Sequence, residues 1–203
     1  KAAGFNTKPG EGHSYACQTL DMGISYYRLV YARLTGEPFV VAETKNLLIR
    51  EMTTKDLPEL YAVYSTLEDC RYIEQLYDYD KELEFTKNYI KNMYGFFEYG
   101  LWLVFEKKSG ELIGRAGIEN REIDGVTCRE IGYLIRRDMQ HKGYAYEACQ
   151  AILEYASDEL GIQEMFAVID KTNEPSRKLA QKLGFELYAQ TDGGPDLYKF
   201  VFG

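Results

Sequence analysis

Side chains that build metal sites are scarce in this chain of 203 residues, which has only two histidines. It has four cysteines, and none of them form a Cys-x-x-Cys pair: Cys17, Cys70, Cys128 and Cys149. We therefore expect reduced thiols and no zinc site. The sequence also lacks a signal peptide and any apolar run near the roughly 20 residues of a membrane-spanning helix. These absences predict a cytoplasmic protein that needs no metal and has no membrane partner.

Positively charged residues are also outnumbered: the chain has 24 lysines and arginines and 32 aspartates and glutamates, which gives a net charge of −8. This balance argues against binding to nucleic acid and favours a cationic or small-molecule substrate. The sequence has no Gly-Lys-Ser/Thr phosphate loop and no Rossmann glycine triplet. A nucleotide-phosphate binder is therefore the least favoured hypothesis.

Residues 1–46 differ in pattern from the remainder. They begin with a glycine-rich and polar stretch, typical of a loop. A helix is predicted next, ending near Gly36, from five apolar residues at helical spacing: Leu20, Ile24, Tyr27, Tyr31 and Leu34. We interpret 1–46 as an extension or the tail of an upstream domain, and 47–203 as a separate domain.

The pattern of residues 47–203 predicts a strand, two helices, three strands, a helix, a strand, a helix and two strands. Turn signals at Ser109-Gly110 and Asp124-Gly125 indicate that the three central strands are antiparallel. This order predicts a mixed α/β fold, with one largely antiparallel twisted sheet and helices on both of its faces.

The stretch "RRDMQHKGYAYEA", residues 136–148, leads from a strand into a helix. The first N–H groups of a helix have no acceptor within it, and the helix dipole adds positive charge there. Gly143 would let an anion reach these groups without a Cβ in the way. Alternatively, Gly143 eases a turn and nearby alanines pack on the sheet.

A second motif follows in "NEPSRKLAQKLGF", residues 173–185, where Asn173 and Ser176 lie at a helix start. Each part has a structural explanation on its own, because Asn173 can cap the helix and Gly184 can end it. The two motifs in this order are more specific than either one.

Residues 47–203 resemble the GNAT acyltransferase superfamily, whose members use acyl-coenzyme A. The segment "QHKGYA" is similar to its Gln/Arg-x-x-Gly-x-Gly/Ala signature, and "NEPSRKLAQKLGF" is similar to its later Asn-x-x-Ser/Ala segment. The residues "EIGYLIRRDMQHKGYAYEA" most resemble the branch of ribosomal-protein alanine/serine N-acetyltransferases and polyamine acetyltransferases. The resemblance implies a sheet splayed in the middle, with acetyl-coenzyme A (acetyl-CoA) bound in the splay.

The resemblance also implies the residues that hold coenzyme A. Backbone groups of the strand ending at Leu134, Ile135 and Arg136 would accept the pantetheine arm. The pyrophosphate would be held by the amides of Gln140, His141, Lys142, Gly143, Tyr144 and Ala145. Asn173 and Ser176 would face the arm from the other side. Side chains of Arg136, Arg137 and Lys142 would add positive charge, unless they form a solvated surface.

For the reaction, a base must take a proton from the attacking amine. Glu130 is the first candidate and Glu119 the second; alternatively, Glu130 forms a cross-strand pair with Arg115 or Arg129. Family members often have a tyrosine acid where this chain has Ala180. That role cannot be transferred, which leaves four alternatives: Ser176, Tyr188, Tyr198, or a thiolate protonated by solvent.

The sequence thus predicts an N-acetyltransferase that transfers an acetyl group from acetyl-CoA to a primary amine. The acceptor would be a protein N-terminus, a polyamine or another small amine, and the protein a monomer or homodimer. A non-catalytic module that binds coenzyme A is the alternative, because Ala180 replaces the tyrosine. The acidic run Glu68–Glu84 lies where this branch builds its acceptor site; it could attract a cation or be a solvated helix face.

Overall fold

The structure is a computed structural model that describes residues 26–67, 71–123 and 125–203. It divides into two units, 1–39 and 40–203. In the first, residues 26–35 form helix α1, which ends at Gly36 with φ of 74°. The predicted stop at Gly36 is therefore confirmed, whereas Leu20 and Ile24 lie outside the described residues.

The second unit contains one sheet in which the strands lie in the order β1-β2-β3-β4-β5-β6-β8-β7. Among the strands of the described residues, only β5 and β6 are parallel, and the other neighbours are antiparallel. The prediction of a largely antiparallel mixed sheet is thus confirmed. The strands are β1 Val40–Glu43, β2 Leu47–Arg50, β3 Leu101–Glu106, β4 Leu112–Ile123, β5 Val126–Ile135, β6 Glu164–Ile169, β7 Glu186–Gln190 and β8 Asp196–Val201.

Strand β1 lies within this unit, because Val40 pairs with Arg50 of β2. The compact unit thus starts before Leu47, where the sequence pattern placed the domain boundary. That residues 1–46 form a separate extension stays a prediction.

Helices cover both faces of the sheet. They are α2 Leu57–Ser65, α3 Tyr79–Tyr89, α4 Tyr144–Asp158 and α5 Glu174–Leu183. Trp102 of β3 packs edge-on against Tyr155 of α4, with ring centroids 5.4 Å apart, and Trp102 lies opposite Ala116 in the sheet. The next residue, Arg115, points to the other face, where its guanidinium lies 3.4 Å from the Tyr64 hydroxyl of α2. The prediction of helices on both faces is confirmed.

Helix α3 begins at Tyr79 and changes its winding after Tyr89. Residues Ile90–Phe97 continue it as a π-helix, which ends at Glu98 with φ of 62°. Tyr89 and Tyr94 on these helices bind the start of β3, because the Leu101 N–H donates to the Tyr89 hydroxyl and the Tyr94 hydroxyl donates to the Leu101 carbonyl. Two tyrosines thereby fix the helices against the sheet.

The interior is filled by large apolar side chains from both faces. Those with almost no exposure include Trp102, Leu103, Ile113, Ile118, Ile152 and Met165. Of the cysteines, Cys128 and Cys149 lie in the described residues and are free thiols. Burial raises the pKa of the Cys149 thiol, which is therefore protonated at neutral pH.

Candidate active site

The parallel strands β5 and β6 separate soon after they meet. Their only paired residues are Glu130 and Phe166, although both strands continue beyond this point within the described chain. Strand β6 then pairs with β8 along its whole length. The two strands therefore leave a split toward their carboxyl ends, as the sequence led us to expect.

Backbone groups of β5 line this split. The Arg136 N–H donates to the Ile113 carbonyl of β4 at 2.7 Å. Since bonding direction alternates along an antiparallel pair, Leu134 also faces β4, whereas Tyr133 and Ile135 face β6. The Ile135 carbonyl accepts from the Gln140 side-chain amide at 2.9 Å. The backbone of Tyr133 therefore opens into the split.

This alternation refines the predicted set of Leu134, Ile135 and Arg136. Of these three residues, only Ile135 faces β6; its N–H points into the split, while its carbonyl is bonded to the Gln140 side chain. Leu134 and Arg136 are bonded toward β4. The geometry adds Tyr133 as a candidate, and the two-residue period of a strand pair would have indicated it once one bond was known.

The loop before α4 forms a cradle of N–H groups. His141 and Gly143 have φ of 59° and 87°, and Gly143 is the N-cap of the 15-residue helix α4. In the part of the chain that the structure describes, the backbone N–H groups of residues 141–146 have no acceptor. A Cβ on Gly143 would meet no protein atom within 4 Å. This arrangement suits an anion such as a pyrophosphate.

The side chains predicted to add charge at this loop are partly occupied. Arg136 is bound to Glu111 at 2.9 Å and Asp138 at 2.7 Å, and its side chain is only 20% exposed. The Lys142 ammonium lies 3.0 Å from the Met139 sulfur. The structure thus offers backbone amides as the main anion donors, and the guanidinium of Arg136 mainly secures the end of β5.

At the other side of the split, Asn173 is the N-cap of α5, and its side-chain oxygen accepts from the Ser176 N–H at 3.3 Å. The Tyr133 hydroxyl lies near Ser176. It is buried, and no group among the described residues makes a hydrogen bond of ordinary length with it. Burial raises the pKa of Tyr133, and the neighbouring Ser176 hydroxyl partly offsets this rise. A buried hydroxyl without a partner costs about 1–3 kcal/mol, so this position suits a ligand.

The other tyrosines considered as acids lie farther across the sheet. Tyr198 is buried on β8 opposite Ala167, and Tyr188 is exposed on the edge strand β7. Ala180 is buried within α5. Among these residues, Ser176 and Tyr133 are therefore the hydroxyl-bearing side chains nearest to the split.

Two carboxylates lie where the split begins, because Glu119 of β4 is directly opposite Glu130 of β5. They point to the face covered by α2, since Glu119 and Arg115 have the same parity along β4. Tyr133 points to the opposite face, like its neighbours Ala116 and Trp102. A ligand in the split would thus have carboxylates on one side and hydroxyls on the other.

Both oxygens of Glu130 have donors. Oε2 accepts from the Arg121 guanidinium at 2.9 Å, and Oε1 accepts from the Val168 N–H of β6 at 3.3 Å. Burial raises the pKa of Glu130, while Arg121 partly offsets this rise. The partner is Arg121, not Arg115 or Arg129 as considered from the sequence. Glu130 thereby bridges β5 and β6 at their single paired position within the described chain.

Glu119 makes no hydrogen bond within the described residues, and burial raises the pKa of its carboxyl, with Arg115 opposing the rise. The negative charges of Glu130 and Glu74 raise this pKa further. Gly132 gives the carboxylate its space, because a Cβ there would lie 3.3 Å from Glu119 Oε2. Of the two predicted bases, Glu119 has the carboxylate that is available to accept a proton.

Within residues 26–67, 71–123 and 125–203, no three His, Cys, Asp or Glu side chains are grouped as metal ligands. No helix in these ranges combines the length and apolarity needed to span a bilayer.

Comparison with known proteins defines the class of this fold and site. Residues 46–186 match the model of the "Acetyltransferase (GNAT) domain" family. Among curated relatives from Bacillus subtilis (strain 168), "Uncharacterized protein YkkB" is 33% identical over 134 residues, 66% of this chain and 72% of the relative. "Uncharacterized N-acetyltransferase YnaD" is 33% identical over 143 residues, 70% of this chain and 79% of the relative.

The fold also matches a solved structure described as RimL, ribosomal L7/L12 alpha-N-protein acetyltransferase, in complex with coenzyme A. The TM-score is 0.63 at 16% identity, and the match covers 80% of this chain and 97% of that one. The chain belongs to the GNAT acetyltransferase family. It is accordingly an acyl-CoA-dependent N-acetyltransferase.

Proposed function

We propose that this protein transfers an acetyl group from acetyl-CoA to a primary amine that approaches from the face covered by α2. The observation that carries the proposal is the joint placement of three features around one split. These are the N–H cradle at residues 141–146, the open backbone of Tyr133 with the N–H of Ile135, and the carboxylate pair Glu119 and Glu130.

In this proposal, backbone groups position the acetyl donor, acetyl-CoA. The N–H groups of residues 141–146 bind the pyrophosphate, with positive charge from the dipole of α4. The backbone of Tyr133 and the N–H of Ile135 bond to the amide groups of the pantetheine arm, as a sheet edge binds an added strand. The arm then directs the thioester toward Glu119 and Glu130, which lie at the closed end of the split.

The acceptor must lose a proton before it attacks. A lysine-like amine has a pKa near 10.4, so the free amine at pH 7 costs about 4.6 kcal/mol. We assign proton removal to Glu119, because its carboxylate has no donor among the described residues and burial raises its pKa. Glu130 remains the alternative base, with its carboxylate shared between Arg121 and Val168.

The departing thiolate needs a hydrogen-bond or proton donor on the face of the sheet opposite to Glu119. Ser176 at the start of α5 supplies it in this proposal, and the nearby Tyr133 hydroxyl, which has no hydrogen bond of ordinary length in this structure, would bond to Ser176 once the ligand is bound. Because Tyr133 is buried, it acts through Ser176 as a positioning residue. This pair compensates for Ala180 at the position of the usual tyrosine.

The acceptor class is proposed at the level of a primary amine. A protein N-terminus is supported by the fold shared with RimL, which is described as acting on the N-terminus of ribosomal L7/L12. A polyamine or another small amine is supported by the negative charge around Glu119. A cytoplasmic location and a monomer or homodimer remain predictions.

The test is release of free thiol from acetyl-CoA with a panel of small amines and N-terminal peptides, with N-acetylated product identified by mass spectrometry. Wild type should acetylate at least one amine, and Glu119→Gln should lower kcat by about 100-fold without weakening acetyl-CoA binding. Glu130→Gln is the matched control and should reduce turnover less. A larger loss in Glu130→Gln would transfer the base role to Glu130; no acetylated amine with wild type would refute the proposal.

A further inference from the structure

A surface segment crosses the acceptor side of the split. We call residues 71–78 the strap. Its first part is bound to the loop after β6, because the Tyr72 hydroxyl lies 2.6 Å from the Thr172 hydroxyl. Its far end is bound to α2 and α3: the Tyr77 carbonyl accepts from the Tyr61 hydroxyl at 2.6 Å, and the Tyr77 N–H donates to Glu82 at 3.0 Å. The strap is therefore held at both ends.

The direction of the Tyr72 bond follows from its neighbours. The Thr172 hydroxyl lies 2.6 Å from Asp170 Oδ1, to which the Thr172 N–H also donates at 2.8 Å. A carboxylate can only accept, so the Thr172 hydroxyl donates to Asp170 and the Tyr72 hydroxyl must donate to Thr172. The same loop continues into Asn173, the N-cap of α5, with its N–H bonded to the Asp170 carbonyl. The strap is thus fixed to the loop that positions Ser176.

The middle of the strap reaches the carboxylate pair. Ile73 and Leu76 pack against the hydrophobic core, while Glu74 between them is exposed. The negative charge of Glu74 acts on both Glu119 and Glu130. The strap therefore adds a third carboxylate at the entrance on the acceptor side.

We propose that the strap is a charge filter for the acceptor, held in place by a latch between Tyr72 and Thr172. Glu74 is the specificity residue, and it disfavours amines that carry a carboxylate next to the reacting nitrogen. Free amino acids are thereby rejected in favour of amines without that carboxylate. This inference rests on the proposed function, since it concerns the acceptor of the same reaction.

The test uses pairs of amines that differ in one carboxylate: tyramine and tyrosine, agmatine and arginine, alaninamide and alanine. Wild type should prefer the member without the carboxylate. Glu74→Gln should reduce this preference about 3- to 10-fold, through KM and not kcat. Glu84→Gln removes an equal charge from the exposed surface of α3 and should leave the preference unchanged.

The latch is tested separately by hydrogen exchange, which needs no acceptor. Tyr72→Phe should speed exchange of the strap amides and raise the acceptor KM about 3- to 10-fold, since one hydrogen bond is lost. Tyr79→Phe is the control, because the Tyr79 hydroxyl has no hydrogen bond among the described residues. The variant Thr172→Val also loses the bond to Asp170, so it should speed exchange of the strap amides at least as much as Tyr72→Phe, and the double variant should add little to Thr172→Val.

These outcomes separate the two ideas. If wild type acetylates neither these amines nor any member of the wider panel, the proposed function and its filter fail, while hydrogen exchange still decides whether the latch exists. If it acetylates peptides but none of these amines, the filter alone is wrong. If wild type is active but Glu74→Gln keeps the full preference, the filter is wrong. Unchanged exchange in Tyr72→Phe would overturn the latch.

Discussion

The cradle at the start of α4 yields a prediction with a matched control just beyond the other end of this helix. Gly143 and Gly161 flank α4, with φ of 87° and 62°, and a Cβ on either would meet no protein atom within 4 Å. Alanine at each site should cost about 1–2 kcal/mol, because only the left-handed backbone is disfavoured. For a protein of this size, that corresponds to a fall in Tm of about 2–8 °C. Both variants should therefore lose similar stability.

Their affinities for acetyl-CoA should differ. Gly143→Ala places a methyl group at the cradle, or rotates the N–H groups of residues 141–146 away from the pyrophosphate. Loss of one hydrogen bond to a charged group costs about 1.5–3 kcal/mol, which corresponds to roughly 10- to 150-fold weaker binding. Gly161→Ala should bind like wild type. Isothermal titration calorimetry of both variants provides the comparison, and equal affinities would refute the placement of the pyrophosphate.

Three further predictions concern residues around the sheet. Gly132→Ala should lower kcat several-fold while the protein stays folded, because the added Cβ would lie 3.3 Å from Glu119 Oε2. A normal kcat in the folded variant would argue against Glu119 as base. Gly114→Ala should destabilise the fold by more than about 3 kcal/mol, since its Cβ would lie 2.2 Å from the Leu134 carbonyl, and a small change in urea denaturation would contradict this close approach. Asp56→Asn should cost about 2 kcal/mol by urea denaturation at pH 7, because Asp56 binds Arg50 at 2.7 and 3.0 Å. Burial opposes ionisation of Asp56, but Arg50 and Thr53 hold its pKa below the usual value, so this stabilisation should vanish as pH falls through that lowered pKa; a cost that persists in acid would exclude the ion pair as its source.

The sequence predicted the order of the elements well because each strand and helix has a clear apolar period. The hairpin after Ser109-Gly110 connects β3 and β4 as predicted, and Gly125 has the positive φ of a turn, while Asp124 lies outside the described residues. The π-helix Ile90–Phe97 was not predicted, since its apolar residues resemble those of an α-helix. Tyr89 and Tyr94, near the start of this π-helix, are bonded to β3, and such tertiary contacts are not visible in a sequence pattern.

The sequence located the local parts of the candidate site, and their roles stay predictions. Gly143 and residues 140–145 could be identified because a helix start after a strand is a local pattern. The pairing of Glu130 with Arg121 and Val168 could not, because it depends on where β5 and β6 separate. The strap falls in the acidic run Glu68–Glu84, of which residues 68–70 lie outside the described residues. Its role depends on Thr172, 100 positions later in the chain.

The position of coenzyme A in the split is the central claim, and amide NMR shifts during a titration with coenzyme A test it most directly. We predict that the largest and saturable shifts occur at residues 141–146 and at Tyr133 and Ile135, with smaller shifts at Ser176. The α2 face at Glu119 should respond less, because it receives the acceptor. Saturable shifts confined to other strands, with none at residues 141–146, would contradict this account.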